Sequence, residues 1–200
     1  MKGLNNMRTA NITRTTNETD ISVFLNLDGS GSFAADMPVE FLKHMLIQIA
    51  RHGFIDLRIK AVGDTDIDAH HTVEDIGIVL GQALCEALGD KKNIRRYGSA
   101  IVPMDDILAM CAIDLSGRPY LHFEAAFTTP RLGEMDTELI REFFQAVAVH
   151  AKMNLHIKIF HGENNHHKAE AIFKAFGRAL SEAVSIDERI QGILSTKGSM

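Results

Sequence analysis

The 200-residue sequence has no tryptophan, only two tyrosines, two cysteines and four prolines. Long apolar runs are also missing. The longest stretch without a charged residue, Ile76 to Cys85, is ten residues, about half of what a bilayer-spanning helix needs. No membrane-spanning helix is expected on that ground. Cys85 and Cys111 make no CxxC motif and no disulfide framework. There is no GxSxG, and neither cysteine sits beside a histidine or a charge pattern that would activate it, so a serine or cysteine nucleophile is not expected. The opening segment MKGLNNMRTANITRTTNETD has no apolar core and no cleavage signal. Nothing in it directs secretion, and a reducing cytoplasm is the expected setting. Basic surplus is absent too. Lys and Arg number 21 against 26 Asp and Glu, a net charge of −5. Neither nucleic acid nor an acidic membrane surface is an expected partner of such a chain.

What remains is ordinary globular composition, 46% hydrophobic and 24% charged, with one anomaly. The chain holds ten histidines, and four of them form two adjacent pairs. The pairs expose an internal repeat. His70-His71-Thr72-Val73-Glu74 returns as His166-His167-Lys168-Ala169-Glu170, shifted by 96 positions. At the same shift Ile76 meets Ile172, Gly81 meets Gly177, and Glu86-Ala87 meets Glu182-Ala183. Upstream, a shift of 98 aligns His52 with His150, Leu57 with Leu155, and Ile59-Lys60 with Ile157-Lys158. Leu27-Asp28-Gly29-Ser30-Gly31 also echoes Ile113-Asp114-Leu115-Ser116-Gly117.

The repeat divides the chain at residues 10–92 and 93–190, within one catalytic domain spanning 1–200. Each half reads as strand, helix, strand, helix. In the first, Ile21 to Leu27 alternates and then turns at Asp28-Gly29-Ser30-Gly31. Val39 to His52 and Glu138 to Ala151 have helical apolar spacing. Leu57 to Ala61 and Leu155 to Ile159 alternate as strands, and a second amphipathic helix begins at each His pair. Leu108 to Ile113 and Tyr120 to Phe127 supply further strand signal in the second half. The expected fold is α+β: two duplicated half-domains, each a mostly antiparallel sheet with helices on one face, packed about a pseudo-two-fold axis.

The His pairs carry the chemistry. Positions i and i+3 or i+4 share a helix face, so Glu74 joins His70 or His71, and Glu170 joins His166 or His167. Adjacent histidines point about 100° apart around the axis, so one helix offers ligands to two different metals. The duplication also equates His44 with Glu142, both residue types that ligate metals. The total is five histidines and three glutamates, four protein ligands for each of two metals. Imidazole with carboxylate suits Mn, Fe, Zn or Ni alike. One such motif would be a weak signal; two copies at matching positions of a repeat are not explained as isolated surface histidines. His52, His122, His150, His156 and His161 read as structural.

These motifs resemble the signatures of the imidazoleglycerol-phosphate dehydratase family of histidine biosynthesis. The resemblance rests on Asp68-Ala69-His70-His71-Thr72-Val73-Glu74-Asp75 and on Asn165-His166-His167-Lys168-Ala169-Glu170. It extends to Arg14-Thr15-Thr16-Asn17-Glu18-Thr19, Arg96-Tyr97-Gly98-Ser99, Ser116-Gly117-Arg118-Pro119 and Ser195-Thr196-Lys197-Gly198. The family reads Phe-Phe-Asp-His-Met where this chain has Phe41-Leu42-Lys43-His44-Met45. The resemblance implies a manganese-dependent hydro-lyase with two Mn2+ per active site. It also implies a 24-subunit homo-oligomer in which neighbouring chains complete each site around a small phosphorylated imidazole. By matching position, the metal ligands are His44, His70, His71, Glu74, Glu142, His166, His167 and Glu170. Arg96, Arg118, Ser195 and Lys197 match phosphate-binding positions, and Glu18 and Gln48 match residues that contact the substrate.

Such a reaction has two obstacles: the carbon-bound hydrogen beside the ring is not acidic, and hydroxide leaves poorly. Metals on both ring nitrogens would favour an imidazolate able to expel the hydroxyl. Glu18 is the expected proton shuttle, with His71 and His167 indispensable beside it. Residues 191–200 are expected to close over the substrate phosphate as a C-terminal tail. Two other readings fit paired metals: a dinuclear hydrolase of a small phosphoester, and a non-catalytic metal-binding assembly protein. Product identity separates the three.

Overall fold

The computed structural model describes residues 7–198. Residues 1–6 of the N-terminal segment, and 199–200 of the expected tail, lie outside them. Alternation builds the first hairpin. Ile21, Val23 and Leu25 bury on one face of β2 (Thr19–Asn26) while Asp20, Ser22 and Phe24 face away. β2 pairs antiparallel with β1 (Thr9–Thr15). β3 (Phe33–Asp36) leads into α1 (Glu40–Gly53), which crosses to β4 (Asp56–Gly63), parallel to β3 and antiparallel to β2. α2 (His70–Leu88) ends the half, and its sheet runs β1-β2-β4-β3.

The second half repeats the plan: β5 (Tyr97–Met104), β6 (Ile107–Asp114) and β7 (Tyr120–Glu124). A small hairpin, β8 (Arg131–Leu132) and β9 (Met135–Asp136), precedes α3 (Glu138–His150). β10 (Asn154–His161) and α4 (Asn165–Val184) follow, and the sheet order is β5-β6-β10-β7. The architecture is the expected α+β pair of mostly antiparallel sheets with helices. Register corrects one detail of the repeat. Leu57 pairs with Leu25, and its equivalent Leu155 pairs with Ile113. The opening strands are therefore related by 88 positions, and the echo of Leu27-Asp28-Gly29 in Ile113-Asp114-Leu115 is not a structural equivalence. The step from 88 to 98 is the β8–β9 insertion, which has no counterpart between β3 and α1.

Four features are not visible in the sequence signal: β1, the short β3, β5 and the β8–β9 hairpin. The outward face of β1 is threonine and asparagine, and Arg14 interrupts its inward face by pairing with Asp75 of α2. β5 contains Gly98 and Pro103, which weaken a strand signal; Pro103 is tolerated because β5 lies at the sheet edge. Gly98 is demanded by packing, since a Cβ there would lie 2.0 Å from the Ala179 carbonyl of α4.

The halves join through their helices, α1 against α4 and α2 against α3. Glycine permits both approaches. A Cβ on Gly177 would lie 2.9 Å from the Ile49 carbonyl, and one on Gly81 would lie 2.9 Å from the Val147 carbonyl. Gly81 and Gly177 are repeat equivalents, as are Ile49 and Val147, so the same crossing is made twice, as a pseudo-two-fold relation requires. Phe143, Phe144, Phe173 and Phe176 fill the interior with ring centroids 4.8–5.4 Å apart. Gly81→Ala and Gly177→Ala are each expected to cost about 1–2 kcal/mol in chemical denaturation, overpacking of about 1–3 kcal/mol exceeding the helix-propensity gain.

The strand pairings fix two chemically different ends. Thr19 opposite Gly63 puts the β1–β2 turn, the end of β4 and the start of α2 together. Leu108 opposite His161 does the same for the β5–β6 turn and the start of α4. At the far end lie Asn26 opposite Asp56, Tyr97 opposite Asp114, and the finish of α4, whose Ala183 carbonyl accepts from the Arg96 N–H. Among the described residues no helix is long and apolar enough to cross a membrane.

Candidate metal and active site

Each His pair occupies the first turn of its helix; Asn164 is the N-cap of α4, while at α2 the side chain of Asp68, one residue before the N-cap Ala69, takes the first helical N–H. Asp68 Oδ1 accepts from the His70 N–H at 2.7 Å, and Asn164 Oδ1 from the His167 N–H at 3.1 Å. The planes of the paired rings are nearly perpendicular, at 89° for His70 and His71 and 88° for His166 and His167, and successive positions on a helix point about 100° apart around its axis. Each helix thus aims its two imidazoles in different directions.

His166 Nε2 lies 3.2 Å from Glu170 Oε2, and His44 Nε2 lies 3.5 Å from the same oxygen. The ligand atoms of these three residues fall within 4.8 Å of one another. The group bridges the duplication, His44 coming from α1 and the others from α4. Phe41 packs edge-on to the His166 ring at 5.5 Å. The start of α1 has no side-chain cap of its own; Glu134 of the inserted hairpin accepts from the Phe41 N–H at 2.7 Å. Burial pushes the Glu170 carboxyl upward, but Lys174 at 2.7 Å and His166 outweigh it and hold it below its ordinary value. The charged form is ready for a cation. Lys43 turns to Glu40 at 3.2 Å. Gln48, one turn beyond His44, donates to the His44 carbonyl at 3.4 Å.

The repeat-related group is more open. His70 Nε2 is 4.0 Å from Glu74 Oε2, and Glu142 accepts from Arg141 at 3.1 Å. Among the described residues Glu142, His70 and Glu74 do not close into a comparable cluster. His71 meets a different set: Asp64 Oδ2 at 2.9 Å from its Nδ1, and Glu18 Oε2 at 3.7 Å. The Asp64 hydrogen bond raises the His71 pKa. His167 Nδ1 lies 3.0 Å from Asp106 Oδ1, and its Nε2 is 3.6 Å from Asp105. Asp106 is held well below the carboxylate range, first by the Glu163 N–H, then by His167 and the Asn164 N–H. Asp64 and Asp106 are the functional candidates that the motifs do not reveal. Their contacts span 7 and 61 positions and depend on the turns that the sheets create.

The cationic residues collect elsewhere. Arg96 is buried, with a left-handed φ of 69°. Its Nε and Nη2 donate to both oxygens of Asp114 at 2.7 and 3.1 Å, and its Nη1 donates to the Leu194 carbonyl at 2.7 Å. Arg96 thereby pins the tail, which Asn93 also holds through Gly192 at 2.9 Å. Arg96 and Ser195 line one cleft. Arg118 and Lys197 are exposed and outside its lining, in the turn before β7 and at the tail's end. From His166 to Ala183, beside Arg96, α4 rises about 25 Å. One protomer therefore presents its histidines at one end and Arg96 with the tail at the other.

Comparison with known proteins matches this arrangement to one group. The family model described as imidazoleglycerol-phosphate dehydratase matches residues 37–180. An imidazoleglycerol-phosphate dehydratase of Lachnoclostridium phytofermentans is 59% identical over 193 residues, covering 96% of this chain and 98% of that protein. The Listeria monocytogenes protein of that name is 59% identical over 192 residues, 96% of this chain and 99% of its own. The crystal structure of the Staphylococcus aureus enzyme superposes with a TM-score of 0.81 at 42% identity, covering 90% of this chain and 99% of that one. That of the Pyrococcus furiosus protein gives 0.82 at 37% identity, covering 94% and 100%.

Proposed function

The chain belongs to the imidazoleglycerol-phosphate dehydratase family, and from that premise we propose that it is the hydro-lyase that converts imidazole glycerol phosphate to imidazole acetol phosphate in histidine biosynthesis. The observation that carries the metal-dependent form of this reading is the His44, His166 and Glu170 cluster, assembled from both halves. Its imidazole and carboxylate donors fit a divalent first-row ion. His44, His70, His71, Glu74, Glu142, His166, His167 and Glu170 are the residues that would hold two such ions, with manganese as the proposed metal. Bound there, they would supply Lewis acidity at the ring nitrogens and a template for the ring.

The remaining work falls to this chain's own side chains. Glu18 stands on the β1–β2 turn with its carboxylate 3.7 Å from His71 Nδ1. Asp64 already takes the Nδ1 hydrogen bond at 2.9 Å, which leaves Glu18 to accept the proton from the carbon beside the ring. Gln48 faces the same end of α1 and orients the glycerol chain. Arg96, Arg118, Ser195 and Lys197 are the proposed phosphate ligands; the Nε and Nη2 fork of Arg96 is held by Asp114, so its remaining Nη N–H groups would face the phosphate.

The two ends of the protomer lie about 25 Å apart along α4, too far to meet on one small substrate. A complete site therefore takes its histidines and its phosphate donors from different protomers, in a homo-oligomer that the family resemblance puts at 24 subunits. The reading is tested by chelation and product analysis. Metal-stripped protein is expected to lose ketone formation by at least about a hundredfold and to regain it with Mn2+. Free phosphate in place of ketone would make it a hydrolase. Deleting Ser195 to Met200 is expected to raise KM about tenfold or more, a loss of at least about 1.4 kcal/mol, with metal content unchanged. Unaltered kinetics would remove the tail from the site.

A further inference from the structure

An ionised carboxylate accepts hydrogen bonds and donates none. The 2.9 Å contact of Asp64 Oδ2 with His71 Nδ1 therefore places the ring proton on Nδ1, and the 3.0 Å contact of Asp106 with His167 Nδ1 does the same. In each neutral ring the lone pair is then left on Nε2. We propose that Asp64 and Asp106 are positioning residues, each locking one imidazole in the Nδ1–H form so that Nε2 is the atom offered to a cation. The inference rests on the metal-dependent reading above and specifies how its ligands are oriented.

The two carboxylates are not copies of each other. Asp64 follows β4, and its repeat equivalent is Gly162; Asp106 lies in the β5–β6 turn, and its equivalent is Glu18. A contact inherited through the duplication would use the same position in both halves. Here the same bond is made from different places in the fold, which points to a requirement of the ring rather than an accident of ancestry. Metal-bound histidines commonly hold their second nitrogen on such a partner.

The two carboxylates are held differently: Asp106 is anchored by backbone, whereas Asp64 keeps Oδ1 buried without a hydrogen-bond partner among the described residues. Asp106 Oδ2 accepts from the Glu163 and Asn164 N–H groups at 2.8 and 3.1 Å. Asp64 follows Gly63, against which the Thr72 hydroxyl packs so closely that a Cβ would lie 1.9 Å from it. The asymmetry also separates tasks. Asp106 is committed to two backbone N–H groups and one imidazole, whereas its equivalent Glu18 takes no hydrogen bond from His71 and keeps its carboxylate for the substrate.

Nitrogen-15 NMR of the metal-free protein, at a pH where the rings are neutral, reads the tautomers directly. His71 and His167 are expected as Nδ1–H. Asp64→Asn is expected to shift His71 alone and Asp106→Asn His167 alone, with His156 an unchanged internal control. Calorimetric titration with Mn2+ is expected to show affinity falling roughly 10- to 100-fold in each variant, with Asp106→Glu recovering most of it. Wild-type rings in the Nε2–H form, or Asn variants that keep both tautomer and affinity, would overturn the proposal while leaving the dehydratase reading intact. A wild-type chain that binds no Mn2+ would overturn the metal reading and the claim on Nε2 together.

Discussion

His71→Ala and His167→Ala are each expected to reduce the rate of ketone formation by at least about a thousandfold, the scale of removing a group on which the chemistry depends. Each ring sits at the start of a helix with its plane nearly perpendicular to its neighbour's, and each is held by one carboxylate at about 3 Å. No other imidazole in the described structure stands in for it. Both positions are partly exposed, so the loss is expected without a comparable loss of stability. Thermal unfolding of the metal-free variants within a few degrees of wild type would show that the fold survives. Retention of near-native turnover by both variants would discard the dinuclear site.

Much of this site is legible in the sequence because helices keep short-range order. His166 and Glu170 are four positions apart, and the helix alone brings them to 3.2 Å. The duplication equates His44 with Glu142 and names no partner for it; its 3.5 Å approach to Glu170 is a contact between the halves that only the fold reveals. Legibility fails where sheet register or side-chain direction decides. The true equivalence of the opening strands follows from Leu25 and Ile113 opposite Leu57 and Leu155, and no local motif encodes it. Asp64 and Asp106 reach their histidines only because turns at strand ends place them there. Glu142 occupies the expected helical position, but its carboxylate turns to Arg141, a choice among rotamers that spacing cannot reveal. The residues grouped as one phosphate and metal site lie at opposite ends of α4, which only the strand pairings disclose.

Arg96→Gln is expected to raise KM by about a hundredfold or more, near 3 kcal/mol. It removes two bonds to Asp114 and the bond that pins Leu194 of the tail. It also leaves the Asp114 carboxylate without its partner, and breaking a largely buried pair costs up to about 3–5 kcal/mol. The double variant Arg96→Gln with Asp114→Asn separates these effects. Stability is expected to recover in part, because the unpaired charge is gone, while KM stays high. Recovery of both together would mean that Arg96 serves the fold alone.

The division of the protomer into a histidine end and a guanidinium end is tested most directly by mixing two impaired chains, assayed at substrate well below the raised KM of Arg96→Gln. His167→Ala lacks the first end and Arg96→Gln the second. Co-assembled one to one, they are expected to regain about a quarter of the wild-type rate, the share of sites that draw each intact end from a different chain if two protomers build a site. A mixture that assembles fully yet stays as inactive as its components would contradict a site shared between protomers.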